Sequence, residues 1–208
     1  MEVTSFQIAV FVVAISASYL IGNISPAIII GKLKKVDIRD TGSKNAGTTN
    51  VLRTFGKKAA AVTMAVDILK GVIPVILSRY IAARFVGMDI ANQLAVWAGF
   101  FAICGHVWPV VFGFKGGKGV ATTFGVLITA MPFLGLAELA IMLVTVGVTR
   151  MVSLGAVIGA LAFPLLVSKF LPMYLPQALC LALVVLYKHN ENIGRIVRGE
   201  ENKISFKK

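Results

Sequence analysis

Acidic residues are scarce in this 208-residue chain: nine Asp and Glu stand against 21 Lys and Arg, a formal net charge of +12. Charged residues of both signs make up 14% and apolar residues 57%, where a soluble domain averages about 25% and about 45–50%. So few charges cannot cover a water-facing globule, which excludes a soluble domain and indicates a membrane protein. Cysteine is nearly absent. Cys104 and Cys180 both lie in apolar runs, which argues against a disulfide framework and reads each as a small buried thiol. With two histidines and no cluster of ligating side chains, neither a metal nor a cofactor is expected. In a chain this apolar, the basic excess points to cytoplasmic loops and to anionic lipids or substrates rather than to nucleic acid.

No charge occurs from residue 3 to residue 31, a run of 29 residues. That is too long for a signal-peptide core of about 7–15 residues, so it is expected to be a retained first span. Further apolar blocks cover residues 59–78, 91–112, 151–168 and 170–187, each near the length a helix needs to cross about 30 Å of hydrocarbon. The block at 120–149 is long for one span and short for two. Basic residues decide it, because Lys and Arg in short loops stay cytoplasmic. If the block crosses twice, turning near Ala130-Met131-Pro132, 17 basic residues fall inside and 3 outside; if it crosses once, the split is 11 to 9. The expectation is a single all-α domain over residues 1–208: a seven-transmembrane-helix bundle, N-terminus outside, C-terminus cytoplasmic. No internal repeat that would suggest an inverted-repeat transporter is evident.

That topology places three polar segments on the cytoplasmic face. The first spans residues 42–53: Gly42-Ser43-Lys44-Asn45-Ala46-Gly47-Thr48-Thr49-Asn50-Val51-Leu52-Arg53. Its small residues allow close backbone approach to a ligand, successive amides can form an anion nest, and Arg53 offers a planar fork of donors suited to phosphate. A turn leading into a Ser/Thr-capped helix is the alternative for any one residue, but the whole string is too polar and too long for a turn alone.

The second segment runs from Gly105-His106 through Trp108-Pro109 to Lys115-Gly116-Gly117-Lys118-Gly119 and Thr122. It is not a Walker loop, because Phe112 and Gly119 stand where that motif needs Gly and Ser/Thr. Gly-flanked lysines ahead of a helix N-terminus still favour an anion. His106 reads either as a ligand or as a hydrogen-bonded helix-end residue. In the third segment, residues 188–201, His189, Asn192 and Arg195 recur every three positions and share a helical face. Asp67 and Lys70, three apart within the block at 59–78, read as an internal ion pair.

Together the three segments resemble the bacterial acyl-phosphate:glycerol-3-phosphate acyltransferase family, the PlsY family. Its motifs run roughly GSxNxGxTNxxR, GHxxPxFxxFKGGKGVAT and HRxNIxRLxxGxE, matched here at residues 42–53, 105–122 and 189–201. Order and spacing cover the whole chain, with small departures at Val111, Asn190 and Ile196. The resemblance implies transfer of an acyl group from acyl phosphate to the 1-hydroxyl of sn-glycerol 3-phosphate at the bacterial inner membrane. It implies catalytic roles for Ser43, Arg53, Lys115, Ser153, His189 and Asn192. Substrate contacts are implied for Gly42, Asn45, Gly47, Thr49, Asn50, His106, Gly116, Gly117, Lys118 and Arg195. On that reading Arg53 and Lys115 bind phosphate, Ser43, Ser153 and Asn192 donate hydrogen bonds, and His189 holds the acceptor or relays its proton.

The His-x4-Asp of acyl-CoA acyltransferases is absent, since Val111 and Gly194 occupy the fifth position after each histidine. No Ser has a sequence-evident His/Asp partner, so direct transfer is expected and no acyl-enzyme. The competing class is an exporter or exchanger of phosphorylated metabolites. Against it stands the gathering of polar residues at one interface rather than at broken midplane helices.

Overall fold

The computed structural model describes residues 4–204, and they form helices and turns. The chain divides into two compact units, Met1–Ala130 and Met131–Lys208. The first holds α1 (Ser5–Gly22), α2 (Pro26–Leu33), α3 (Thr48–Phe55), α4 (Lys57–Phe85), α5 (Met88–Val107) and α6 (Val120–Ala130). The second holds α7 (Pro132–Thr149), α8 (Val152–Phe170), α9 (Leu175–Lys188) and α10 (Asn190–Val197).

Five helical stretches are long and apolar enough to cross a membrane: Ser5–Leu33, Lys57–Phe85, Met88–Phe112, Pro132–Thr149 and Val152–Phe170. Val120–Ala130 and Pro172–Lys188 are shorter apolar helices. Large apolar side chains such as Val148, Leu165 and Val13 are 81%, 72% and 67% exposed. That surface suits lipid and would aggregate in water. The protein is an all-helical, multi-pass membrane protein.

The charge-free run expected to form one helix is broken at Asn23-Ile24-Ser25. Proline explains the break. Pro26 has no N–H for the helical bond to residue 22 and drives Ser25 into an extended conformation, φ −116° and ψ 92°. Pro132 acts likewise between α6 and α7, with Met131 at φ −141° and ψ 70°, so the long block at 120–149 is interrupted where the turn was expected. The Arg79 guanidinium lies 3.5 Å from the Thr129 carbonyl and 3.3 Å from that of Ala130, setting a cation against the negative end of α6.

Within the first unit, glycines bring helices to backbone contact. Gly22 meets the Ala102 carbonyl and Gly105 that of Tyr19, locking α1 to α5. Gly71 meets the Thr122 carbonyl and Gly125 that of Ile68, locking α4 to α6. A Cβ at any of the four would collide with backbone, which cannot yield as a side chain can. Cys104 and Cys180 are half-buried rather than fully buried.

Candidate active site

In the first unit, the segment at 42–53 folds as a tight loop followed by α3. Asn50, 1% exposed, organises it. Its carbonyl accepts the Ser43 amide at 2.9 Å, and its amide group donates to the Ile38 carbonyl at 2.9 Å and the Thr41 carbonyl at 3.0 Å. Gly42, at φ +53°, leaves the space that the Asn50 side chain fills. The polar atoms of Asn50 bond its own loop, because burial demands partners for them.

Ser43 and Arg53 remain exposed, while Asn45, Gly47 and Thr49 are half-buried. Asp37 anchors the approach to this loop. Its carboxylate pairs with Arg39 at 2.7 Å, and that hydrogen bond holds the Asp37 pKa at about 2. Arg39 also donates to the Phe112 carbonyl at 3.2 Å.

The segment at 105–122 begins as the last turn of α5. The Trp108 carbonyl accepts the Tyr19 hydroxyl at 2.7 Å. The chain then reverses through left-handed Gly113, at φ +65°, and returns so that the Gly116 amide donates to the Val107 carbonyl at 3.3 Å and the Gly117 amide to that of His106 at 3.2 Å. A Cβ on Gly117 would strike the His106 ring and come within 3.0 Å of the Ala46 carbonyl. The second motif is thus pressed against the first. Lys115 is exposed and Lys118 half-buried. His106, 6% exposed, turns its Nδ1 toward Asp67, 3.4 Å away.

The second unit assembles a cluster around Glu201. One carboxylate oxygen accepts from Ser153 Oγ at 2.9 Å and Asn192 Nδ2 at 2.8 Å; the other accepts from Arg195 Nε at 2.8 Å. The Ile204 amide donates to the Arg150 carbonyl at 2.8 Å, tying the tail to the α7–α8 turn. Burial alone would raise the Glu201 pKa, but the hydrogen bonds from Asn192, Ser153 and Arg195 together outweigh it and hold the carboxyl below its ordinary value.

Ser153 was expected to donate a hydrogen bond to substrate. Its one hydroxyl proton goes instead to Glu201, and what it can offer a ligand is oxygen lone pairs. His189, 2% exposed, caps α9 and opens α10. Its Nδ1 donates to the Val185 carbonyl at 2.8 Å.

Glu201 and the contact between Asp67 and His106 were not legible as site features. Glu201 is the last residue of the third motif, and that position was its only signal. Asp67 and His106 lie far apart in sequence and become neighbours only through the packing of α4 on α5.

A family model described as glycerol-3-phosphate acyltransferase matches residues 12–199 of this chain. A glycerol-3-phosphate acyltransferase of Clostridioides difficile is 44% identical over 206 residues, covering 97% of this chain and 99% of that protein. One from Thermoanaerobacter pseudethanolicus is 44% identical over 193 residues, covering 91% and 93%. Among solved structures, the glycerol 3-phosphate form of PlsY, an integral membrane glycerol 3-phosphate acyltransferase, is 34% identical with a TM-score of 0.83 and covers 94% of this chain and 96% of that one. The lysophosphatidic acid form of PlsY gives a TM-score of 0.80 at the same identity, covering 94% and 95%.

Proposed function

Because this chain belongs to the glycerol-3-phosphate acyltransferase family, we propose that it moves a fatty acyl group from acyl phosphate to the 1-hydroxyl of sn-glycerol 3-phosphate. The products are lysophosphatidic acid and inorganic phosphate. One observation carries the reading: a relative matching 94% of this chain has both a glycerol 3-phosphate form and a lysophosphatidic acid form. Those two molecules differ by one acyl group on one hydroxyl, so they bracket a single transfer.

In the step itself, the acceptor hydroxyl oxygen attacks the acyl carbonyl carbon. The bond from that carbon to the phosphate oxygen breaks, phosphate leaves with the electron pair, and the hydroxyl proton passes to a phosphate oxygen. Arg53 and Lys115 bind phosphate and offset the charge that grows on the leaving group. His189 and Asn192 hold the acceptor. Ser43 contributes a hydroxyl donor and Ser153 an oxygen acceptor. The polar parts of Gly42, Asn45, Gly47, Thr49, Gly116, Gly117, Lys118 and Arg195 complete the substrate contacts.

Purified protein in detergent, given only acyl phosphate and glycerol 3-phosphate, is expected to release lysophosphatidic acid and phosphate without coenzyme A or acyl-carrier protein. Turnover with a thioester alone would overturn the donor assignment. Absence of any transfer in this single compartment would favour the transporter reading.

The same proposal takes the five candidate spans together with Val120–Ala130 and Pro172–Lys188 as seven crossings of the bacterial inner membrane, with the C-terminus in the cytoplasm. Met1 and Lys208 lie outside the described residues. A cysteine appended after Lys208 is expected to resist impermeant thiol reagents in intact cells and to react once the membrane is permeabilised. Labelling of intact cells would reverse the orientation.

A further inference from the structure

Three ionisable side chains that the transfer step does not use are buried together in the first unit. Asp67 and Lys70 are each 2% exposed and pair at 2.7 Å, and His106 Nδ1 stands 3.4 Å from the same carboxylate oxygen. A pair present only to make two embedded charges tolerable has no need of a third ring. This set is also connected outward on both sides. Lys70 Nζ donates to the Ile24 carbonyl at 2.6 Å, in the break between α1 and α2. On the other side, the last turn of α5 carries the returning glycine turn: Gly117 docks on the His106 carbonyl and Gly116 on that of Val107. The His106 ring fills the space where a side chain on residue 117 would lie.

We propose that Asp67, Lys70 and His106 are positioning residues for the acyl transfer. Asp67, its charge balanced by Lys70, orients the His106 ring. Ring and α5 carbonyls then set the height of the Gly116-Gly117 backbone, and with it the place of the Lys115 ammonium that meets substrate phosphate. His106 on this account shapes the phosphate loop rather than touching substrate. The inference rests on the phosphate role given to Lys115 above.

Asp67→Asn alone would strand the Lys70 charge and could unfold the protein, whereas removing both charges of a buried pair is commonly tolerated. The decisive variant is therefore D67N/K70M in the full-length protein, with His106→Ala as the second should that double variant not fold. Amide exchange of residues 113–119 is expected to speed up by about tenfold or more while exchange in α8 and α9 stays native. With the lysine that offsets leaving-group charge misplaced, kcat is expected to fall by about tenfold or more, while KM for glycerol 3-phosphate, held by His189 and Asn192, stays within a few-fold of native. Adding Lys115→Gln to either background should cost less than it costs in the native protein, because the lysine is already misplaced.

Native exchange and native kcat in D67N/K70M would reduce the cluster to a tolerated ion pair and overturn the proposal; so would full additivity with Lys115→Gln. The exchange measurement needs no turnover. Faster exchange in a protein family member that makes no lysophosphatidic acid would sink the transfer reading and leave the loop contact standing. Native exchange in an active enzyme would sink the positioning role alone.

Discussion

Arg53→Lys and Lys115→Gln are each expected to slow turnover by about 10²–10³, the effect of removing one strong contact, roughly 2.7–4 kcal/mol, from a preorganised site. Arg53 lies on α3 behind the loop that Asn50 closes, and Lys115 lies in the turn carried by the end of α5. Both side chains are exposed, so neither substitution leaves a hole in the core. Arg53→Lys is the sharper test. It keeps the charge and removes the planar fork that binds two phosphate oxygens at once, so a loss of activity identifies geometry rather than charge as the requirement. Lys57, exposed at the start of α4 and outside the three motifs, is the control: Lys57→Gln should leave turnover within a few-fold of native. The comparison is made on purified protein with matched thermal midpoints. Near-native rates for both Arg53→Lys and Lys115→Gln would remove these residues from the phosphate site.

Glu201→Ala is expected to destabilise the second unit and abolish turnover together. The substitution leaves Ser153 and Asn192, 8% and 6% exposed, without their shared acceptor, at about 1–3 kcal/mol for each. The Arg195 pair adds less, because its side chain is 28% exposed and water screens it. Glu201→Gln should fall between native and alanine: an amide oxygen can still accept from Ser153 and Asn192, but its NH2 then faces the Arg195 donor.

The pH dependence has a definite sign. A folded-state pKa below the ordinary value near 4.5 means that Glu201 contributes its full stabilisation above that value and loses it as pH falls through the depressed folded pKa. Thermal unfolding of native protein and Glu201→Gln should therefore converge on acidification. A gap that persists at low pH would assign the stabilisation to packing instead of charge.

Charge scarcity and hydropathy together determined the class of this protein, since 14% charged residues cannot solvate a globule of this size. Three motifs in order carried the family, because Gly, Lys, Arg, His and Asn at those spacings meet the needs of two phosphate-bearing substrates. Helix interruptions were partly legible. Pro132 marks the break after α6 by the same steric rule that acts at Pro26, where an unbroken apolar run conceals the α1–α2 junction.

The fate of individual polar side chains was not written in the sequence. Asn50 and Arg53 stand three apart in one motif, yet the first turns inward to bond its own loop while the second stays exposed. Glu201 and Ser153 are distant in the chain and meet because the tail returns to the α7–α8 turn. His106 meets Asp67 only because α5 packs on α4. Hydropathy and motif spacing report which groups a segment carries, which is a local property. Which of them find partners inside the protein depends on contacts between distant segments, and burial makes those contacts obligatory.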